Sequence, residues 1–284
     1  MSVRIGVVGS VNLDLVASGA PLPKAGETVT GARFAQHPGG KGANQALAAR
    51  RLGANVHMVG RVGDDALAET ALSLLRRDGV DVQGVMAEIG QSTGVALIAV
   101  SPEGENQIIV ASGANALVDA GDVMGLPECD AILCQLEVPI VAVMAALDQA
   151  PNLFAVNLAP AITVPDRLLK EADLLIVNEG EAEFYGPALH TGNGMVAVTL
   201  GGAGAVLYHT GEEIARAPAF DVPVVDTTGA GDTFCGALVT ALAEGQAPAD
   251  AMRFASAAGA LAVTRPGAQP SLPSRQAVEA LLKP

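Results

Sequence analysis

The sequence predicts a doubly wound α/β fold: a mainly parallel sheet flanked by helices, with a small β-sheet lid. Three observations predict it. Short, near-continuous apolar runs alternate with helical stretches along most of the chain, as parallel strands covered on both faces do. The chain holds 33 glycines and only 3% aromatics, a composition suited to helices packed closely on a sheet. Two segments with strand-like patterning interrupt the alternation where a strand–helix–strand unit would otherwise continue.

Each element follows from its own pattern. The apolar runs 5–8, 56–59, 131–134, 154–156, 174–177 and 196–200 are the expected buried strands. Between them, 42–52, 66–77, 140–149 and 179–185 read as helices. A strand pair near 205–208 and 213–216 precedes three late helices at 230–244, 249–264 and 274–282. The first interruption carries strand pieces at 13–17 and 28–34, joined through Pro21, Pro23 and Gly26. The second, 93–111, is a hairpin of 95–100 and 107–111 around a Pro-Glu-Gly turn. Insertions at about 13–37 and 93–111 therefore predict an accessory sheet able to cover a cleft or to pair with a second subunit. No linker divides the chain, so 1–284 reads as one domain.

With 284 residues, 50% of them hydrophobic, the chain can bury one large core. A formal net charge of −14 argues against nucleic acid and anionic membranes as partners. It leaves room for an anionic nucleotide, because helix termini and Mg²⁺ can make a site locally positive. Cys129, Cys134 and Cys235 are sparse, odd in number and without a C-x-x-C pair, which points to a reducing compartment. The start, Met1 to Gly6, enters a strand-like run without the pattern of a signal peptide. The uncharged window 184–211 is broken by glycines and Pro187, so it is not a membrane span. A cytoplasmic protein is expected. The histidines form no H-E-x-x-H and no Cys/His pair, so no zinc is expected.

The most informative segment is Val225-Asp226-Thr227-Thr228-Gly229-Ala230-Gly231-Asp232-Thr233-Phe234. Glycines before a helix let backbone N–H groups face an anion, and the helix dipole adds positive potential. Asp232, an acid inside such a site, makes sense as a base that removes a proton from a nucleophile aimed at a phosphate. The alternative is a plain N-terminal acid on a strand–turn–helix junction.

Five more clusters follow, four of them near strand ends, where ligands bind in open α/β sheets. Asn12 and Asp14 alternate on one strand and suit sugar hydroxyls. Gly39-Gly40-Lys41-Gly42-Ala43-Asn44-Gln45 opens a helix with Lys41 and Asn44 on one face; it is not a Walker A loop. Glu137 follows the strand 131–134. Asn178 and Glu181 offer oxygens to hydrated Mg²⁺, and also fit a reciprocal cap at a helix start. Thr199 and Gly201 end another strand and suit a nucleotide or a hairpin turn. No strict G-x-G-x-x-G is present, which counts against a dinucleotide enzyme.

Taken in order, these segments resemble the PfkB carbohydrate kinase family over essentially the full length, and within it the members that phosphorylate ribose. Gly26-Glu27-Thr28-Val29-Thr30-Gly31, Ser92-Thr93-Gly94-Val95-Ala96, Gly113-Ala114-Asn115 and Val263 through Ser271 carry the same resemblance. It implies ATP-dependent phosphorylation of the 5-hydroxyl of D-ribose. Asn12, Asp14, Gly40, Lys41, Asn44 and Glu137 would then bind the sugar and Asp232 would be the base. Gly229, Ala230 and Gly231 would form the anion hole. Asn178 and Glu181 would organise Mg²⁺ through water, while Thr199 and Gly201 would meet the nucleotide. Asp226, Thr228, Ala262, Arg265, Gly267 and Ser271 match a K⁺ site. The lid sheet would form a homodimer contact. Three positions depart from the family pattern: Cys235 behind the base, Ser256 beside the expected adenine, and a shortened 185–195. Two rivals stay open, namely a kinase of the same family for deoxyribose, a ketose, 2-keto-3-deoxygluconate or a nucleoside, and a non-catalytic sugar-binding protein.

Overall fold

The computed structural model describes residues 2–150 and 152–283, and every site residue named above lies among them. β1 (Arg4–Val8) leads straight into β2 (Asn12–Ser18) of a second sheet. β3 (Arg33–Gly39) returns beside β2 and feeds α1 (Lys41–Arg51). β4 (Asn55–Gly63), α2 (Ala66–Asp78) and β5 (Asp81–Glu88) follow, then the hairpin β6 (Gly94–Val100) and β7 (Asn106–Ala111). The next stretch is α3 (Ala120–Val123), β8 (Ala131–Gln135), α4 (Ile140–Gln149), β9 (Phe154–Asn157) and α5 (Asp166–Glu171). β10 (Leu174–Asn178), α6 (Glu179–Tyr185), β11 (Met195–Thr199), β12 (Ala205–His209) and β13 (Glu212–Ala217) complete the large sheet. α7 (Ala230–Ala243), α8 (Pro248–Ala262), α9 (Ala268–Ser271) and α10 (Arg275–Leu282) close the chain.

The large sheet has the order β13-β12-β11-β10-β9-β8-β1-β4-β5, parallel from β11 to β5 with an antiparallel β12–β13 ribbon at one edge. Alternation along each strand divides two cores. Leu133, Leu174 and Ile176 face one side, where α1, α2, α7 and α8 pack through residues such as Leu47, Leu72, Leu238 and Ala255. Ile132, Cys134, Leu175 and Val177 face the other, against α4 and α5 through Val143 and Leu168. Both faces are covered, which is why these strands read as continuous apolar runs. α2 is bounded as its sequence dictates: the Asp65 side chain accepts the Ala68 N–H, and Gly79 takes a left-handed cap.

The second sheet, β3-β2-β6-β7, comes from the two interruptions. Its first strand pair differs from expectation. The partner of β2 is 33–39 rather than 28–34, because pairing puts Asn12 opposite Gly39 and Ser18 opposite Arg33. β5 is an addition: its charged, half-exposed edge pattern hides its pairing with the far end of β4, which thereby extends to Gly63. α3, α5 and α9 are one or two turns long, too short to announce a period. The shortened segment after α6 is a 3₁₀ turn over Gly186–His190. No helix among the described residues is long and apolar enough to cross a membrane.

Candidate active site

The carboxyl ends of β1, β8, β9 and β10 and the first turns of α1, α6 and α7 meet at one cleft. Asp232 stands at its centre, in the first turn of α7 and 9% exposed. Gly229 caps that helix at φ +81°, and a Cβ there would lie 3.0 Å from the Ala268 Cα. The first N–H groups of α7 have no intrahelical acceptor, so the turn 229–231 is a ready anion cradle. Asp232 is held from α1: its Oδ2 accepts from Asn44 Nδ2 at 2.8 Å and its Oδ1 from Gln45 Nε2 at 2.9 Å.

Lys41 lies in the same field. The Asp232 charge raises its ammonium's pKa, burial opposes this, and Glu137 and Glu181 add to the rise, so Lys41 stays cationic. Burial first, then the charges of Glu137 and Asp232, push Asp14 up to about 7. Glu137 is anchored through Oε2, which accepts from the Ser10 hydroxyl and from the Lys41 backbone N–H. Asn12 presents its amide by a different route. Its Oδ1 accepts from Asn115 Nδ2 at 2.7 Å, leaving its own N–H groups for a ligand. Gly40, at φ +90°, permits the close approach of α1 to β2, since a Cβ would sit 2.7 Å from the Asn12 nitrogen.

Asn178 and Glu181 form the reciprocal cap of α6: each side chain accepts the other's backbone N–H at 2.8 Å. Glu181 also faces the cleft. Burial raises its carboxyl pKa, the Asn178 N–H and Lys41 oppose this, and Asp232 adds to it. A cavity of about 140 Å³ joins Lys41, Asn178, Glu181, Gly231, Asp232 and Cys235. A second slot of about 290 Å³ adjoins it, with Gly201, Val222, Ser256, Gly259 and Val263 among its walls. Thr199 and Gly231 line both spaces, so the two are continuous around the α7 N-terminus. The Ser256 Oγ is buried there without a protein partner.

The expected monovalent-cation residues cluster behind the cradle. The Asp226 carboxylate accepts N–H groups from Thr228 at 2.9 Å and Gly267 at 2.8 Å. Burial pushes Asp226 up, but these hydrogen bonds outweigh it and hold the group below the usual carboxylate range. The N–H groups of Val225 and Asp226 donate to the Val263 carbonyl, tying the loop to the end of α8. Ala262 is the last residue of α8, the exposed Arg265 follows on the next turn, and Ser271 ends α9.

The structure thus brings Asp14, Lys41, Asn44, Glu137, Glu181 and Asp232 into one electrostatic neighbourhood. Asn12 joins through its pairing with Gly39. Gly201 and Ser256 stand apart, in the adjoining slot, and Thr199 lines both spaces. Sequence reasoning gave no role to Gln45, Gln135, Asn157, Asn115 or Ser10. The available signal was an amide or hydroxyl embedded in apolar runs that the fold buries.

Comparison with known proteins identifies the family and the fold. The model of the pfkB family of carbohydrate kinases matches residues 4–275. A ribokinase of Bacillus subtilis is 39% identical, over 98% of this chain and 99% of its own. The crystal structure of a Thermotoga maritima ribokinase superposes with a TM-score of 0.90 at 34% identity, covering 99% of both chains. The structure of an Arabidopsis thaliana ribokinase complexed with ribose and ATP gives 0.87 at 32%, over 100% of this chain and 99% of that one. The chain belongs to the pfkB family of carbohydrate kinases.

Proposed function

We propose that this enzyme transfers the γ-phosphoryl group of ATP to the 5-hydroxyl of D-ribose, giving ribose 5-phosphate and ADP. The observation that carries the reading is the position of Asp232. Its carboxylate lies where the polar pocket of Asp14, Lys41, Asn44 and Glu137 meets the anion cradle 229–231. The relatives named ribokinase, one of them complexed with ribose and ATP, support the choice of substrates.

Asp232 takes the hydroxyl proton as the sugar oxygen bonds to the γ-phosphorus and the bond to the bridging oxygen of ADP breaks. Carboxylates and amides of Asn12, Asp14, Asn44 and Glu137, with the backbone at Gly40, bind and orient the sugar hydroxyls. The N–H groups of Gly229, Ala230 and Gly231 and the Lys41 cation stabilise charge on the transferring group. Thr199, Gly201 and Ser256 line the nucleotide's slot.

Glu181 spends only Oε2 on its cap, so a second oxygen is free to hold water around Mg²⁺, and burial among negative groups favours a cation there. Bound Mg²⁺ neutralises phosphate charge. Asp226, held ionised behind the cradle, fits a K⁺ site completed by Thr228, Ala262, Arg265, Gly267 and Ser271, and bound K⁺ stiffens the loop that bears the anion hole. The small sheet serves as a lid and as the homodimer contact, with Phe34 and Ile109 exposed on it. Buried free thiols at Cys129, Cys134 and Cys235 suit a cytoplasmic enzyme.

The test is ADP release from ATP with Mg²⁺ and K⁺ across D-ribose, 2-deoxyribose, fructose, 2-keto-3-deoxygluconate and adenosine. Strong preference for D-ribose is expected, with higher rates in K⁺ than in Na⁺. A maximum on another substrate overturns the choice of sugar.

A further inference from the structure

A chain of buried side-chain amides ends at Asp232. Gln135, the last residue of β8, donates through Nε2 to Gln45 Oε1 at 2.7 Å. Gln45 then donates through Nε2 to Asp232 Oδ1 at 2.9 Å and to Asn157 Oδ1 at 3.1 Å. Asn157, the last residue of β9, donates to the Ile176 carbonyl at 3.1 Å. Gln45 and Gln135 are wholly buried. Both ends of the chain fix its direction, because an ionised carboxylate and a backbone carbonyl can only accept. Turning over the Gln45 amide would set its oxygen against those of Asp232 and Asn157.

The chain also carries a cost that packing does not explain. Gln135 Oε1 is buried over Gly9 without a partner. An unpaired buried acceptor is destabilising, and an apolar residue of the same length would avoid it. What glutamine adds at 135 is the N–H that it aims at Gln45. With Asn44 on one oxygen of Asp232 and Gln45 on the other, the plane of the carboxylate is fixed from α1, and α1 is braced in turn from two strands of the central sheet.

We propose that Gln45, braced by Gln135 and Asn157, is a positioning residue that orients the Asp232 carboxylate for proton abstraction from the sugar hydroxyl. The inference rests on Asp232 being the base.

Gln45→Met preserves length and removes both polar atoms. Its kcat is expected to fall on the order of 30-fold, with KM for sugar and ATP within about threefold of wild type, as misplacement of a catalytic group does. Gln135→Met, one bond further away, falls about fivefold. In an Asp232→Asn background, with residual turnover followed by transfer of labelled phosphate, neither substitution costs anything further, because the group they position is gone. Should Gln45→Met not fold, Gln135→Met carries the same comparison. The inference is overturned if Gln45→Met keeps kcat within twofold, or if its loss recurs in full in the Asp232→Asn background. An Asp232→Asn enzyme that retains turnover overturns the base assignment instead, and the inference with it.

Discussion

The proposed sugar side of the cleft packs carboxylates, amides and one cation against each other, whereas the proposed nucleotide side is a slot of glycine, alanine and valine. On the sugar side, the donors and acceptors of Asn12, Asn44, Glu137 and Asp232 are fixed by Asn115, Gln45, Ser10 and the start of α1. On the nucleotide side, Val222, Val224, Ala260 and Val263 offer surface, with Thr199, Thr227 and Ser256 as the polar side chains. The difference teaches where selectivity and chemistry are built. Fixed hydrogen-bonding groups discriminate between hydroxyl patterns and hold a reacting oxygen in line. An apolar slot grips a flat ring by area and contributes mainly to binding. The sugar side also holds like charges close together before any ligand arrives, so it destabilises the empty enzyme.

The contrast predicts that damage on the two sides differs in kind. Asp232→Asn should lower kcat on the order of 10³-fold, with the dissociation constants for sugar and nucleotide changed only a few-fold by calorimetry. Turnover within tenfold of wild type would remove Asp232 from the chemistry. Asp14→Asn comes next. Its sugar KM should rise about 30-fold, because an amide offers one uncharged acceptor oxygen where a carboxylate offers two charged ones. The same variant tests the cost of crowded charge. Native Asp14 keeps its proton to about pH 7, while the unfolded chain loses it near 3.8. Folding therefore takes up a proton between these values, and the wild type loses stability as pH rises through that window, on the order of 4 kcal/mol. Asp14→Asn should melt higher than wild type at pH 8 and at the same temperature below pH 4. Equal melting at pH 8 would mean that Asp14 is not the strained group. On the other side, Ala260→Phe should fill the slot and raise the KM for ATP about tenfold, with sugar affinity unchanged. A matching loss of sugar affinity would break the division into two halves.

The two sides were not equally legible in the sequence. Asp232, its glycines, Lys41, Asn44, Asn178 and Glu181 stand in short runs whose local chemistry reads directly: glycines before a helix, an acid in the first turn, an acceptor three residues before another. Gln45 and Gln135 lie 90 residues apart and meet only because β8 ends beside α1, a fact of sheet order that no local pattern carries. Asn115 is likewise 103 residues from the Asn12 that it holds. The short central strands, buried on both faces, announced themselves by apolar runs. β5 and β3 did not, since an edge strand with charged ends and a strand paired from one side carry no such run.

The smallest expected effect on catalysis concerns the second sheet, and it separates two faces that the sequence could not. Direct pairing sets Asp14 beside Ala96 and Val110, and Val16 beside Ile98 and Ile108, so Ile108 and Val110 share the face of Asp14. Leu15, Leu97 and Ile109 share the other face, as do Ala17 and Phe34. Phe34 and Ile109 are 67% and 69% exposed, an apolar surface on the face away from Asp14, against 54% and 49% for Ile108 and Val110 on the Asp14 face. Ile109→Lys should therefore dissociate the proposed dimer in sedimentation velocity while kcat and the sugar KM stay within about twofold, since a lysine on that face costs burial only where a partner covers it. Ile108→Lys, on the Asp14 face, should do the reverse: it leaves association intact and raises the sugar KM a few-fold. If Ile108→Lys dissociates the protein and Ile109→Lys does not, the partner sits on the cleft face, and the sugar pocket is then completed by two chains.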